Sequence, residues 1–318
     1  MKFLVTGANG FVGKAVCAEL LRQGQSVRAA VRSANKPVDD AEVVAVGAID
    51  GGTDWSAALG DIDAVIHLAA RVHVMKDSAA DPLAEFLKVN LLGTANLAQQ
   101  AAHAGVKRLV YASSVKVNGE ETRGRQSYTE QDIPAPQDPY GISKWQAEQA
   151  LRRIAQESGL EVAIVRPPLV YGPGVKGNFI SLLAAIDKGI PLPLAGARNA
   201  RILVYVGNLA DALIACATRP AAAGQTYLVS DGEDVSTALL VEKIARALGR
   251  ISRSFYFPPA LLRAVATLLG RAAQMDRLFG SLRVSDQKIR GDLAWVPPYS
   301  MEQGLRATAD WYHSRHLR

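Results

Sequence analysis

A short apolar run that ends in three evenly spaced glycines constrains the fold more than any other feature of this chain. The run Lys2–Thr6 is followed by glycines at intervals of three and by the apolar-periodic segment Phe11–Gln23. This order predicts a strand, a tight turn and a helix. Glycines permit such a turn and let the backbone approach a pyrophosphate, which then lies at the helix N-terminus. The segment therefore favours a dinucleotide site over a purely structural turn, with contacts from Gly7, Asn9, Gly10, Phe11, Val12 and Gly13.

The next part of the chain repeats this order of strand and helix. Strands are predicted at Ser26–Val31, Val43–Val46, Ala64–Leu68, Lys107–Ser113 and Glu161–Val165, and helices at Asp81–Ala104 and about 138–157. Alternating strands and helices predict a parallel sheet covered by helices on both faces, with right-handed crossovers. We therefore predict an α/β fold, a doubly wound parallel sheet of Rossmann type.

The rhythm changes after about Pro167, where proline and glycine become frequent and predict loops. Short strands are predicted near Ile202–Val206 and Gln225–Val229, and helices near Leu209–Thr218, Ser236–Leu248 and Ala260–Arg277. We predict that residues 1–167 form the dinucleotide-binding domain and that later segments, about 202–230, return to it. Residues 168–318 are predicted to form mainly a smaller, mostly helical substrate-binding cap.

Composition and charge exclude several classes of protein. Apolar residues make up 49% and charged residues 21% of the 318 residues, which is typical of a globular chain. The net charge of +6 is spread along the chain without a long basic run, so no nucleic-acid partner is expected, whereas an anionic small substrate accounts for the charge. No apolar stretch is long enough to cross a bilayer, and the first residues do not resemble a signal peptide. We expect a cytoplasmic protein with no membrane insertion.

Neither a disulfide framework nor a metal site is expected. The two cysteines, Cys17 and Cys216, lie in helix-like apolar segments, which indicates a reducing compartment. No cysteine or carboxylate stands at the spacing of a metal-ligand motif from His73, His103, His313 or His316. His67 lies in a predicted strand, so we expect a buried core or cofactor-side residue rather than an acid/base.

The residues after the second predicted strand bear on the choice of cofactor. An acidic residue at that position would bind the ribose 2′-hydroxyl of NAD. This chain has Arg32 there, with Lys36 close by, and an arginine can form a charge-assisted pair with a 2′-phosphate. We therefore favour NADP(H), and NAD(H) remains the alternative if Arg32 is only a solvated residue beside the adenine.

Two pairs of residues suggest catalytic chemistry. Tyr140 and Lys144 are four residues apart and lie on one face of a predicted helix, which Asp138 is expected to cap. A nearby cation favours a phenolate, so we expect Lys144 to lower the pKa of Tyr140 toward the range of a general acid/base. Ser113 and Ser114 lie at the end of a predicted strand, at the sheet edge where ligands of such folds bind.

In combination and order, these motifs resemble the extended short-chain dehydrogenase/reductases of the nucleotide-sugar epimerase/dehydratase family over essentially the whole chain. The matching segments are Thr6–Gly13, His67–Ala70, Val89–Thr94, Ser113–Ser114, Tyr140 with Lys144, and Arg166–Gly174. The resemblance implies that Tyr140 is the general acid/base, that Lys144 holds the nicotinamide ribose, and that Ser114 orients the reacting oxygen. Ser114 is preferred over Ser113 because it lies five residues before Gly119, as in that family.

The resemblance also implies binding residues. On the cofactor side, besides Tyr140 and Lys144, these are Asp50, Leu68, Ala69, Ala70, Asn90 and Pro167. On the substrate side they are Arg71, Ser114, Lys116, Asn178, Phe179 and Arg201, with Arg277 and Arg283 as alternatives for a second phosphate contact. Val115 and Lys116 stand where dehydratases of this family have an Asp–Glu pair, which disfavours a 4,6-dehydratase.

Three functions remain open. Ser113–Glu120 and Pro167–Phe179 resemble bacterial 4-reductases of UDP-2-acetamido-2,6-dideoxy-4-hexulose in O-antigen synthesis, which implies an NAD(P)H-dependent 4-keto-reductase with Tyr140 as proton donor. The alternative is a UDP-hexose 4-epimerase that retains NAD, which the missing acidic residue after the second strand disfavours. The non-enzymatic alternative is a dinucleotide-sensing regulatory protein. The resemblance further implies a nucleotide-sugar substrate and a homodimer.

Overall fold

A parallel sheet of seven strands forms the centre of the protein, whose computed structural model describes residues 1–33, 38, 40–72, 81–122, 124, 126–258, 261–262, 267 and 279–316. The strands are β1 (Lys2–Thr6), β2 (Ser26–Val31), β3 (Glu42–Ala45), β4 (Ala64–His67), β5 (Arg108–Ala112), β6 (Glu161–Arg166) and β9 (Thr226–Leu228). Their order in the sheet is β3-β2-β1-β4-β5-β6-β9, and neighbours in this order pair in parallel.

Helices cover both faces of this sheet. One face carries α1 (Phe11–Arg22) and α7 (Val206–Thr218), and the other carries α2 (Ser56–Leu59), α4 (Thr94–His103) and α5 (Pro139–Ser158). Strand β1 shows why both faces must be covered, because Phe3 and Val5 pack with the first group of helices and Leu4 with the second. Each such burial stabilises the fold by roughly 1.5–3 kcal/mol. The prediction of a doubly wound parallel sheet of Rossmann type is confirmed.

A smaller three-stranded sheet lies beside the main one, in the order β10-β8-β7. Its strands are β7 (Leu169–Tyr171), β8 (Arg201–Tyr205) and β10 (Asp234–Val235), and its core includes residues of α6 (Asn178–Asp187), α8 (Thr237–Ala247) and α10 (Met301–His316). Helix α9 (Gln287–Leu293) instead joins the core of the main sheet. Of the segment 202–230, α7 and β9 pack with the main sheet as expected, whereas β8 pairs in the small sheet. The division into two domains stays a prediction.

The segment expected as one helix over Asp81–Ala104 contains three helical parts. Helix α3 (Pro82–Leu87) is followed by a π-helical turn, Lys88–Gly93, before α4 begins. A π turn adds one residue to a helical turn and is frequently found at functional sites. Most of the predicted helix Ala260–Arg277 lies outside the described residues, as does Lys36.

Local sequence explains where the helix that carries Tyr140 starts and ends. The Asp138 carboxylate accepts the Gly141 N–H at 2.7 Å, and Pro139 occupies the first helical position of α5. Proline is favoured there because its missing N–H would have no partner in the first turn. Gly159 ends α5 in the left-handed conformation (φ 76°), which glycine adopts without steric cost. The cap at Asp138 places Tyr140 in the first turn of α5.

Candidate active site

A cavity of about 1200 Å³ opens at the carboxyl ends of the main-sheet strands. Its lining includes residues that follow β1, β2, β4, β5 and β6, namely Gly7, Arg32, Leu68, Ser113 and Pro167. Ligands of doubly wound sheets bind at this edge. Of the predicted cofactor contacts that the structure describes, all but Asn90 line this cavity.

The turn at the start of α1 is so tightly packed that Gly7 and Gly13 have no room for a side chain. Gly7 has a φ of +66°, and a Cβ on it would lie 2.9 Å from the Ala69 backbone nitrogen. A Cβ on Gly13 would lie 2.2 Å from the Gly7 carbonyl oxygen. Gly10, at the N-cap, has no side chain to cap α1, so the N–H groups of its first turn are available to a phosphate. These residues fit a dinucleotide pyrophosphate.

A buried hydrogen-bond chain supports the wall of the cavity next to the glycine turn. The Thr6 hydroxyl oxygen accepts the N–H groups of Leu68 and Ala69, both at 3.1 Å, so its own proton is left to donate to His67 Nδ1 at 2.6 Å. His67 Nε2 therefore carries the ring proton and donates it to Thr94 Oγ1 at 2.9 Å. Burial lowers the pKa of His67 to about 3, which keeps the ring neutral. His67 thus supports the cavity wall and exchanges no proton near neutral pH.

Asn90, in the π-helical turn, lies behind this cavity and ties three segments together. Its amide accepts the Arg71 N–H at 2.8 Å and donates to the Arg71 carbonyl oxygen at 3.0 Å. It also donates to the Ser143 hydroxyl at 2.9 Å, which in turn donates to the Tyr140 carbonyl oxygen. Asn90 is buried and its polar atoms bond within the protein, where they fix Arg71 and the first turn of α5. The direct contact between Asn90 and the cofactor stays a prediction.

Tyr140, Ser114 and Lys144 meet at the part of the cavity next to α5 and β5. Ser114 Oγ accepts the Lys116 N–H at 3.2 Å, and Ser114 hydrogen-bonds to the Tyr140 side chain. Lys144 Nζ donates to the Ala112 carbonyl oxygen at 2.7 Å and lies 5.9 Å from the centre of the Tyr140 ring. A hydroxyl and a phenol that share a hydrogen bond beside a cavity can both reach one ligand oxygen.

The expectation that Lys144 lowers the pKa of Tyr140 is wrong. Burial raises the pKa of Tyr140 above its ordinary value, Asp138 raises it further, and only the hydrogen bond from Ser114 opposes the shift. Burial also lowers the pKa of Lys144 to about 7, while Glu148 partly restores it. Lys144 is therefore only partly protonated near neutral pH. The removal of the phenol from water raises the pKa of Tyr140 by more than the charge of Lys144 lowers it.

Ser113 does not share the position of Ser114. Its hydroxyl donates to Glu148 Oε1 at 2.5 Å, and Glu148 is paired with Arg166 at 2.6 Å. Both charged side chains are at least 98% buried, and Arg166 also donates to Asn118. A buried pair of this kind is retained only when its remaining polar atoms are satisfied, as they are here. This arrangement supports the preference for Ser114 as the residue that faces a substrate.

The predicted substrate residues fall into two groups. Arg71 and Ser114 line the cavity, whereas Lys116, Asn178, Phe179 and Arg201 do not. Phe179 is buried in the core beside the three-stranded sheet, against Tyr171 with ring centres 5.6 Å apart, because it is an apolar residue in the first turn of α6. Asn178 is exposed at the start of the same helix, and Arg201 donates to the Gly280 carbonyl oxygen at 3.2 Å.

The remaining basic candidates are also placed. The Lys116 ammonium pairs with Glu120 and Asp138 and is thereby directed away from the cavity. Arg283 pairs with Asp234 of β10, and Arg277 lies outside the described residues. The side chains of Lys116, Phe179 and Arg201 contact other parts of the protein in this arrangement, and the direct substrate contacts predicted for them stay predictions.

These features agree with a comparison to known proteins. The model of the NAD dependent epimerase/dehydratase family matches residues 3–230. The chain belongs to this family. A UDP-glucose 4-epimerase of Vibrio cholerae is 43% identical to this member over 309 residues, which are 96% of this chain and 94% of the relative.

Solved structures share the fold of this family member. The crystal structure of a UDP-glucose 4-epimerase of Thermotoga maritima has a TM-score of 0.80, with 24% identity and all of both chains covered. That of a UDP-glucose 4-epimerase of Thermus thermophilus, in complex with NAD, has a TM-score of 0.78 and 26% identity, with 98% of this chain and 99% of the other covered.

Several cavity residues of this epimerase/dehydratase-family member were missed in the sequence. Glu85, Lys88 and Lys176 line the cavity, and Lys88 lies 3.9 Å from the Asp50 carboxylate. Glu85 and Lys88 belong to the turns just before Asn90, so their spacing could have indicated them, whereas Lys176 lies in a loop without a periodic pattern. In the part of the chain that the structure describes, no helix is long and apolar enough to span a bilayer, and no cluster of three metal-ligand side chains occurs.

Proposed function

We propose that this epimerase/dehydratase-family member is an NAD-dependent 4-epimerase of a nucleotide-linked hexose, with a UDP-hexose as its simplest substrate. The observation that carries the proposal is the 43% identity, over nearly the whole of both chains, to a UDP-glucose 4-epimerase. The placement of Ser114, Tyr140 and Lys144 around the cavity that contains the glycine turn supports it, because an acid/base and a dinucleotide site then face one space.

In this proposal the protein holds and moves one proton. The Tyr140 phenol oxygen takes the proton of the sugar 4-hydroxyl and later returns it, and the Ser114 hydroxyl orients the 4-oxygen. The glycine turn of Gly7, Gly10 and Gly13 would hold NAD by its pyrophosphate, and NAD would supply reversible hydride acceptance at C4 of the sugar. Proton transfer by a positioned side chain typically contributes about 10²–10⁴ in rate. Because Tyr140 is buried with a raised pKa, a positive charge close to the phenol is needed to favour the phenolate.

The size and charge of the cavity support two ligands. Its volume of about 1200 Å³ exceeds the range of roughly 300–1,000 Å³ that is common for a single small-molecule site. The basic residues Arg71, Lys88 and Lys176 in its lining outnumber the acidic residues Asp50 and Glu85 and favour an anionic ligand beside the dinucleotide. A nucleotide diphosphate sugar has that charge.

The NADPH-dependent 4-keto-reductase remains the second candidate, on the evidence of Arg32. This arginine follows β2, lines the cavity and stands where an NAD-binding chain commonly has a carboxylate. A 2′-phosphate on the adenosine ribose would pair with it. On this alternative Tyr140 gives its proton to the 4-oxygen once per turnover and regains it from solvent.

One experiment separates these candidates. The purified protein is denatured and the released nucleotide is identified by mass and quantified. NAD in near-stoichiometric amount, with interconversion of UDP-glucose and UDP-galactose, supports the epimerase. An empty site that prefers NADPH in a titration, with NADPH oxidation by UDP-2-acetamido-2,6-dideoxy-4-hexulose, supports the reductase. Dinucleotide binding without turnover of either substrate would favour the regulatory protein.

Other properties expected from the sequence stay proposals with their own tests. We propose a homodimer, which light scattering coupled to size exclusion would distinguish from a monomer. We also propose a cytoplasmic location, which cell fractionation tests. The proposed division into residues 1–167, with about 202–230, and a cap from 168–318 predicts that limited proteolysis cuts first in the loops that connect the two sheets.

A further inference from the structure

Lys116, Glu120 and Asp138 form a cluster of charged side chains that has no role in the proposed reaction so far. The Lys116 ammonium donates to Glu120 Oε1 at 2.9 Å and also forms a close pair with Asp138 Oδ2. The side chains of Lys116 and Asp138 are only 25% and 23% exposed, so the pair is partly shielded from water. Shielding strengthens such a pair relative to one at the surface. The lysine is thus held between two carboxylates rather than directed into the cavity.

This cluster joins the two segments that carry the proposed catalytic side chains. Lys116 lies in the 3-10 turn Val115–Val117, and its own N–H donates to Ser114 Oγ at 3.2 Å. On the other side, Asp138 uses its second oxygen, Oδ1, to accept the Gly141 N–H and so begins α5. The two backbones are close, since a Cβ on Gly141 would lie 3.0 Å from the Lys116 carbonyl oxygen. One ammonium therefore bridges the Ser114 turn and the helix start next to Tyr140.

We propose that Lys116 is a positioning residue for the proposed epimerisation: through its ion pair with Asp138 it fixes the first turn of α5, and with it Tyr140, against the turn that carries Ser114. The inference rests on the proposed function and on the geometry of this bridge. Lys116 touches neither substrate nor cofactor in this account, and all of its effect passes through Asp138.

The bridge has an electrostatic consequence for Tyr140. The Asp138 carboxylate raises the pKa of the Tyr140 phenol, and the Lys116 ammonium neutralises that carboxylate. The groups around the phenol come from several elements. Lys144 belongs to α5 and Asp138 to its cap, Ser114 and Tyr111 lie at the end of β5, and Phe86 belongs to α3. Arg71 lies over the Phe86 ring, and Glu120 lies beside Lys116. Removal of the Lys116 charge leaves Asp138 unneutralised, so the phenolate becomes harder to form.

The test is a double-mutant cycle. Lys116→Met should lower kcat about 10-fold while KM stays within about twofold, because the lost interaction acts on Tyr140 and not on bound substrate. The acidic limb of the kcat–pH profile should move to higher pH, and Lys116→Arg should restore most of kcat. Asp138→Asn keeps an N-cap side chain but removes the charge. In that background Lys116→Met should have little further effect, since residues that act through one pair are not additive.

Several results would overturn the proposal. A full loss from Lys116→Met in the Asp138→Asn background would show that Lys116 does not act through Asp138. A raised KM with unchanged kcat would show a substrate contact instead. Lys243→Met, which breaks an ion pair with Glu233 (2.8 Å) in the cap, serves as the matched control and should leave kcat unchanged.

A measurement without substrate keeps this test separate from the proposed function. A fluorinated tyrosine of lower intrinsic pKa is incorporated at position 140, so that its phenol titrates while the protein stays folded, and its ultraviolet difference absorption is followed in the protein with Lys116 and in Lys116→Met. The titration midpoint should rise in Lys116→Met and return in Lys116→Arg. An unchanged midpoint with unchanged thermal melting refutes the positioning role, whereas a shifted midpoint in a protein without epimerase activity refutes only the reaction that we assigned.

Discussion

The Lys144 ammonium donates a hydrogen bond to the Ala112 carbonyl oxygen at 2.7 Å and so faces the end of β5. It also lies 4.4 Å from the centre of the Tyr111 ring. The hydrogen bond and the ring contact together anchor the lysine at the end of β5.

Burial of Lys144 predicts a pH dependence of stability. Its pKa falls from 10.5 to about 7 in the folded protein, so between these values the unfolded chain binds a proton that the folded protein lacks. The free energy of unfolding must then rise with pH across this interval. Below the interval Lys144 is protonated in both states, and the full cost of burying its charge lowers the stability. Urea unfolding of wild type and Lys144→Met between about pH 7 and pH 10 measures the contribution. The difference in the free energy of unfolding, wild type minus Lys144→Met, should rise with pH. A difference that stays constant or falls with pH contradicts the burial of an uncharged lysine.

Loss of the Tyr140 hydroxyl should separate chemistry from binding. Tyr140→Phe removes the only phenol at the proposed reaction centre among the described cavity residues, so turnover should fall by about 10²–10⁴. Dinucleotide affinity should stay nearly intact, because the glycine turn is untouched. Steady-state kinetics and calorimetric titration of NAD check both points. Near wild-type turnover in the variant would remove Tyr140 from the acid/base role.

Two neighbouring serines provide a matched pair. Ser114→Ala deletes the hydroxyl that bonds to Tyr140, so kcat should fall by about 10-fold or more while the melting temperature changes little. Ser113→Ala instead leaves buried Glu148 with one bond fewer, which should cost about 1.5–3 kcal/mol of stability. Kinetics and thermal melting of both variants test the assignment, and the reverse pattern would exchange the two roles.

The glycine turn predicts a selective loss of cofactor binding. In Gly13→Ala the new Cβ would lie 2.2 Å from the Gly7 carbonyl oxygen, so the turn must move and dinucleotide affinity should fall by at least about 10-fold. Gly291→Ala is the control, because a Cβ on this helical glycine has open space around it and should leave binding unchanged. Titration calorimetry with NAD measures both. Equal affinity in Gly13→Ala and wild type would place the pyrophosphate elsewhere.

The side chain of Arg32 should decide the preference between the two dinucleotides. If Arg32 contacts a 2′-phosphate, Arg32→Asp should weaken NADP binding about 10-fold or more relative to NAD, since attraction is replaced by repulsion. Competitive titration of the two cofactors gives the ratio. An unchanged ratio would leave Arg32 as a solvated residue at the edge of the cavity.

Features set by short-range pattern were predictable from the sequence. The strand–glycine–helix order gave β1, the turn and α1 nearly to the residue, because a short apolar run, glycine conformation and helical periodicity are local properties. The i, i+4 spacing of Tyr140 and Lys144 likewise survives in α5. The same spacing extends to Glu148, which could have been singled out as a partner for a buried cation.

Features set by tertiary contacts were not predictable. The π turn at Lys88–Gly93 forms where Asn90 bonds to the backbone of Arg71, a partner in another element. Lys116 pairs with Asp138, which is distant in the sequence. The direction in which the pKa of Tyr140 shifts depends on burial, which residue spacing does not reveal. In each case a partner contributed by another part of the fold decides the outcome.

The most direct test of the central claim is the interconversion of UDP-glucose and UDP-galactose by the purified protein with NAD and without a reductant. We predict that both sugars approach one equilibrium mixture from either side, with no net change in NADH absorption and with activity abolished in Tyr140→Phe. Failure to interconvert the two sugars, combined with oxidation of one NADPH for each 4-keto sugar consumed, would contradict the epimerase and establish the reductase.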